Sequence, residues 1–202
     1  VGSFANSGQI CISIQRIYLH HDLWQPFVER FVKAVKGVKV GDPLDQDTVV
    51  GPMIDEGEAK RAEGWLKEAV EGGAEILTGG RRRGTVLEPT VLVKVSQGMK
   101  VVCKEIFAPV VCLIPFGDFD EALAMVNDSI YGLQAGVYTK DVSKAFRAIK
   151  RLKVGGVIVN DIPTFREDHM PYGGVKESGI GREGVKYAIQ EMTELKFVCF
   201  NL

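Results

Sequence analysis

Cys11 has the setting in this sequence that best suits covalent chemistry. It closes the run Phe4-Ala5-Asn6-Ser7-Gly8-Gln9-Ile10-Cys11, where small and polar residues follow one another with no apolar period, so the run reads as a loop. A cysteine by itself is most often a small buried hydrophobe. At the start of a short helical turn, amide dipoles would favour its thiolate, and Gly8 would let the backbone approach a ligand closely. Other candidates read more simply. Gly179-Ile180-Gly181-Arg182-Glu183-Gly184 spells GxGxxG, but a dinucleotide fingerprint needs a strand before it and an acid about twenty residues after it. Here a glycine-rich loop precedes, and no acid follows at that distance, so the run reads as a turn that opens the last helix. Arg81-Arg82-Arg83 between glycines could hold phosphate, yet such a run is more commonly a solvated turn. His20, His21 and His169 lack the HExxH and HxxxH spacings, so no metal site is expected. A dyad of Cys11 with His169 would require the two to meet in space, which spacing alone leaves open.

The elements that must position these groups alternate in type. Residues 15–20 read as a strand. Asp22 is placed as the cap of a helix whose Leu23, Phe27, Phe31 and Val35 recur every four residues. Residues 37–52 read as loop. Residues 55–71 form the clearest amphipathic helix, with Ala59, Ala62, Leu66 and Ala69 or Val70 on one stripe and Gly72-Gly73 as its stop. Strands are expected at 75–78 and 87–95, with the basic turn between them. The apolar run 110–116 has the composition of a strand buried on both faces. Helix 119–127, strand 135–139, helix 142–151 and strand 156–160 follow. A glycine-rich loop at 170–184, a helix at 185–191 and a strand at 194–200 complete the order. Strand–helix–strand units of this length imply parallel pairing through crossover helices. The expected class is therefore α/β with a mostly parallel sheet: one domain over 1–190, and a C-terminal strand arm over 191–202.

Composition bounds the partners. Of 202 residues, 46% are apolar and 25% charged, near the average for globular domains, which excludes disordered, collagen-like and coiled-coil classes. The longest charge-free apolar run, 106–116, is shorter than the roughly 20 residues a membrane span needs. A formal net charge of −1 provides no field that would draw the chain to nucleic acid or to an anionic membrane. Cys11, Cys103, Cys112 and Cys199 lie far apart with no CxxC spacing, and no signal-peptide pattern opens the sequence. A cytoplasmic setting is expected, without nucleic-acid or membrane partners.

Three ordered motifs carry a resemblance. Residues 4–11, FANSGQIC, resemble the FxNxGQxC active-site motif of the aldehyde dehydrogenase superfamily. Glu105-Ile106-Phe107-Ala108-Pro109 resembles its ExFxP element, and residues 170–179, MPYGGVKESG, resemble its (M/S)PFGGxKxSG loop. The resemblance spans essentially the whole sequence. It implies that the Cys11 thiolate attacks an aldehyde and forms a thiohemiacetal whose oxyanion is held partly by the Cys11 amide. Hydride transfer to NAD or NADP would leave a thioester, which activated water hydrolyses to a carboxylic acid. Glu105 would accept from the ribose hydroxyls at the nicotinamide end, and Phe107 would pack by the nicotinamide ring.

The resemblance also implies limits. Family members are more than twice as long, and the cofactor-binding domain, general-base glutamate and oxyanion-hole asparagine have no match in these residues. The isolated chain is therefore expected to be the catalytic domain and not to turn over alone. The 161–172 stretch would reach the aldehyde pocket. There Tyr172 stands where the family usually has Phe, and Arg166 could meet an anionic aldehyde, unless a nearby carboxylate takes it. Residues 160–196 look most like lactaldehyde dehydrogenases and non-phosphorylating glyceraldehyde-3-phosphate dehydrogenases. Ile10 departs from the arginine that some of the latter place before the cysteine. The apolar 194–200 segment would form an oligomerisation arm, implying at least a dimer. Two alternatives stay open: a non-catalytic assembly domain, and an acylating enzyme in which coenzyme A replaces water.

Overall fold

The computed structural model describes residues 2–202, which form two compact units. The first contains the described residues up to Ser129 together with Ile162–Thr164. Its elements are β1 (Arg16–His20), α1 (His21–Lys36), α2 (Glu56–Glu71), β2 (Glu75–Thr78), β3 (Arg82–Arg83), β4 (Val86–Leu87), β5 (Thr90–Val93), α3 (Lys100–Cys103), β6 (Val110–Phe116) and α4 (Phe119–Asn127). One sheet runs in the order β1-β6-β5-β2. The β1–β6 and β5–β6 pairs are parallel, and β2 closes one edge antiparallel. The fold is α/β, as expected.

Strand β6 explains the sheet's composition. Side chains alternate between faces along a strand. Val110 and Cys112 pack with Leu92 and the α2 stripe of Ala59, Ala62, Leu66 and Ala69. Val111 and Leu113 pack with Val91, Val93, Leu19 and Val35, and with Phe27 and Phe31 of α1. Helices thus cover both faces of its first four residues, which are apolar because neither face meets water there, while Pro115 near the strand's end is exposed.

Two sequence expectations change here, and one element is added. The cap of α1 is His20, whose Nδ1 accepts from the Asp22 N–H at 3.4 Å, so Asp22 lies in the first turn, where its charge suits the helix dipole. The expected 87–95 strand is broken after Leu87 because Pro89 has no N–H to donate to a ladder. Pairing resumes at Thr90, whose N–H reaches the Pro109 carbonyl at 2.9 Å. Finally, α3 is a four-residue helix, too short to show a periodic pattern.

The second unit contains Ile130–Asp161 and Phe165–Leu202. It holds β7 (Tyr131–Gly132), β8 (Gln134–Val137), α5 (Val142–Arg151), β9 (Gly156–Val159), β10 (Val175–Lys176) and α6 (Val185–Met192). Strands β8 and β9 pair in parallel through the α5 crossover, and β7 pairs antiparallel with β10. The 193–202 segment is exposed and has no strand partner within the described residues. An isolated extended segment cannot close a ladder, so the expected strand at 194–200 is not formed in the single chain. No helix among the described residues is long and apolar enough to cross a membrane.

Candidate active site

Cys11 lies exposed in the segment between a short 3-10 turn, Ala5–Gly8, and β1. The local fold differs from a helix start. The Ser13 N–H closes a single turn onto the Ile10 carbonyl at 2.9 Å, and the chain then extends into β1. The segment's rigidity comes from its flanks. Phe4 is buried against Phe31, with ring centroids 6.4 Å apart. Ser7 Oγ donates to the Gly51 carbonyl at 2.9 Å, and Gln9 Oε1 accepts from the Ile54 N–H at 2.9 Å. Asn6 and Ser7 both take positive φ, 50° and 57°, which small or amide side chains tolerate better than bulky ones.

Gly8 joins two of the motifs. Its φ is +71°, and a Cβ there would overlap the Ala108 carbonyl oxygen and lie 2.8 Å from the Pro109 nitrogen. The close approach expected of this glycine is therefore made to the EIFAP backbone within the first unit. That contact sets the Cys11 segment beside the loop that bears Glu105 and Phe107.

In that loop, burial alternates. Glu105 is exposed, Ile106 is 1% exposed and Phe107 is 39% exposed with φ +48°. Ile106 is held through its backbone as well: its N–H donates to Gln15 Oε1 at 3.1 Å, and its carbonyl accepts from Arg61 Nη2 at 2.7 Å. Arg61 is itself fixed by Glu58 at 2.7 Å and lies 4.6 Å from the Trp65 ring centroid. An exposed carboxylate and an exposed aromatic ring thus flank one anchored residue. Such a pair can accept from vicinal hydroxyls and cover a flat heteroaromatic ring.

Gln15 and Arg61 went unread in the sequence. Their partners are main-chain groups far along the chain, and no spacing announces them. Cys112 is the contrasting thiol: it is buried, its Sγ donates to the Val101 carbonyl at 3.4 Å, and burial pushes its pKa up to about 12, so it stays a neutral core group.

Tyr172 and Arg166 lie in the second unit. Tyr172 is 5% exposed, and its backbone pairs with Glu183 through bonds of 3.1 and 2.6 Å. The Arg166 guanidinium sits 4.2 Å from the Tyr172 ring centroid, and Nη2 donates to Glu183 Oε2 at 3.4 Å. The carboxylate pairing weighed for Arg166 is thus made, and its partner is Glu183. The glycines at 179–184 serve as turns: Gly179, Gly181 and Gly184 take φ of 107°, 78° and 117°, and Gly184 precedes α6. Ser178 Oγ accepts from the Gly132 N–H at 2.9 Å, and Arg182 Nη1 donates to the Gly174 carbonyl at 2.9 Å, so the 170–184 loop is tied to β7 and to itself. In the first unit Arg82 pairs with Glu63 at 2.9 Å, a structural ion pair in the basic turn.

Comparison with known proteins agrees with these motifs. The 3-sulfolactaldehyde dehydrogenase of Priestia megaterium is 50% identical over 200 residues, covering 99% of this chain and 42% of the relative. The lactaldehyde dehydrogenase of Methanococcus aeolicus is 42% identical over 200 residues, covering 99% and 43%. Aldehyde dehydrogenase 21 of Physcomitrella patens, solved with the product succinate, matches with a TM-score of 0.92 and 51% identity over 93% of this chain and 39% of that one. The glyceraldehyde-3-phosphate dehydrogenase GapN of Methanocaldococcus jannaschii, solved with NADP, matches with a TM-score of 0.93 and 40% identity over 96% and 42%. The chain thus spans about two fifths of the length of the curated relatives it matches. Residues 1–198 fit the model of the aldehyde dehydrogenase family, and the chain belongs to that family.

Proposed function

We propose that this chain is the cysteine-bearing part of an NAD(P)-dependent aldehyde dehydrogenase that oxidises a small aldehyde, of the lactaldehyde or glyceraldehyde-3-phosphate kind, to a carboxylic acid. The observation that carries the reading is the Gly8 contact with the Ala108–Pro109 peptide, which sets exposed Cys11 in one unit with the Glu105–Phe107 loop. The exposed Glu105 carboxylate and the Phe107 ring fit the ribose and nicotinamide of NAD or NADP, and the similar GapN enzyme was solved with NADP. Held by these two side chains, a nicotinamide would supply the hydride acceptor.

The chain's own residues do the rest of what is assigned to it. The Cys11 thiolate adds to the carbonyl carbon, forming a C–S bond while the π electrons move to oxygen. The Cys11 amide supplies part of the oxyanion stabilisation. Loss of hydride re-forms the carbonyl as a thioester. Water, activated by a base that these residues do not match, then releases the acid and returns the thiolate. The isolated chain therefore lacks turnover. The resemblance points Tyr172 and Arg166 toward the substrate, and an anionic aldehyde would have to displace Glu183 from Arg166 to be held there. The exposed apolar 194–200 arm pairs with a second subunit, making the enzyme at least a dimer.

The test follows reduced-nicotinamide absorbance on the intact gene product with lactaldehyde, glyceraldehyde-3-phosphate, succinate semialdehyde and propanal, each with NAD and NADP. Turnover should fall by a factor of about 10³ or more in Cys11→Ala. Folded protein that turns over no aldehyde would favour an assembly role. NAD(P) reduction by the isolated chain would overturn the claim that it is inactive alone.

A further inference from the structure

We infer that Gln15 is a positioning residue whose carboxamide holds the Glu105–Phe107 loop in register with the Cys11 segment. The inference rests on the reading of Glu105 and Phe107 as the cofactor grip.

A carboxamide has two N–H donors and an acceptor oxygen. Gln15 uses all three: Nε2 donates to the Val101 carbonyl at 2.8 Å and the Lys104 carbonyl at 2.7 Å, and Oε1 accepts from the Ile106 N–H at 3.1 Å. Val101 is in α3 and Lys104 is its C-cap, where carbonyls lose their helical donors. Gln15 therefore closes the end of that short helix and fixes the next peptide in one stroke. Its own backbone is anchored to the sheet, since its carbonyl accepts from the Cys112 N–H at 2.8 Å.

The connection has a particular geometry. Gly8, three residues before Cys11, abuts Ala108, and Gln15, four residues after Cys11, bonds to Ile106. The Cys11 segment thus touches the loop once on each side of Phe107. Arg61 completes the grip by holding the Ile106 carbonyl from α2 at 2.7 Å. Glutamate in place of Gln15 keeps the length but, when ionised, has no hydrogen to give two carbonyls. Alanine removes the grip, and because Gln15 is only partly buried, water can enter the space.

The experiment uses the intact gene product with Gln15→Glu, Gln15→Ala, Glu105→Gln and the double variants. The KM for NAD(P) should rise about five- to tenfold in the Gln15 variants, the scale of a lost hydrogen bond or two, with aldehyde KM and the rate of Cys11 alkylation by iodoacetamide within about twofold of wild type. On the Glu105→Gln background the Gln15 effect on KM should shrink to the part that acts through Phe107. A Gln15 variant that lowers Tm but leaves the cofactor KM unchanged would reduce Gln15 to a structural residue and overturn the inference. Effects of Gln15→Ala and Glu105→Gln that simply multiply would do the same. If Glu105→Gln alone leaves the cofactor KM unchanged, the cofactor reading falls and takes this inference with it. Gln15→Ala preserves the test should the glutamate variant fail to fold.

Discussion

At Gly8 a single hydrogen stands where every other residue would place its β-carbon into the Ala108 carbonyl oxygen. Gly8→Ala would also force an L side chain to a φ of +71°. The two effects act in the same direction, and the destabilisation expected is about 2–4 kcal/mol. Denaturant unfolding of the intact gene product checks this. Turnover should fall by more than the unfolded fraction accounts for, because the displaced peptide belongs to the loop that carries Glu105 and Phe107. A variant with the wild-type midpoint and rate would remove the contact from the account of the site. The sequence marks the candidate residues unevenly: the thiol stands out by its polar loop, whereas the Glu105 carboxylate and the Phe107 ring are singled out only by the resemblance. Their geometry leaves no mark there. The approach of Gly8 is made to protein backbone, and Gln15 and Arg61 act on backbone carbonyls and amides, which every residue possesses and which therefore leave no mark in a pattern of side chains.

Elements were more legible where periodicity had length to express itself. Helices α4 and α5 and strand β6 match the expected bounds, because an aspartate caps each helix and the strand is a continuous apolar run. The four residues of α3 are too few for a period, and the break at Pro89 follows from a missing donor. The β3–β4 hairpin carries a prediction of its own. Arg82 bonds to Glu63 of α2 at 2.9 Å, with both side chains mostly covered. The Arg82 guanidinium holds the Glu63 carboxyl below the usual carboxylate range, with Lys67 assisting. A depressed carboxylate pKa adds stability that is present above the unfolded-state value and is lost as pH falls through the folded value. The Tm gap between wild type and Glu63→Gln should therefore be open at neutral pH and close in acid. A gap that stays constant from neutral pH to below the carboxylate range would mean that charge pairing contributes nothing there.

At the scale of the whole molecule, the C-terminal segment poses the largest unmet demand. Leu195 and Phe197 are 106% and 90% exposed, and Val198, Phe200 and Leu202 are exposed beside them. Run together, these side chains place more apolar surface in water than scattered surface residues do, and the backbone between them has open donors and acceptors. Both needs are met at once if the segment adds as a strand to another subunit's sheet, since one ladder pairs the backbone and covers the alternating faces. Strand alternation in the assembled state would put Leu195, Phe197 and Cys199 on one face and Lys196, Val198 and Phe200 on the other. Phe197→Asp combined with Phe200→Asp places a charge on each face, and buried unpaired carboxylates cannot be accommodated in such a ladder. Light scattering on the intact gene product should show a multiple of the subunit mass for wild type and a shift to lower mass for the double variant. A monomeric wild type whose 194–200 amides resist hydrogen exchange would sink the proposal, because the arm would then be ordered against its own chain.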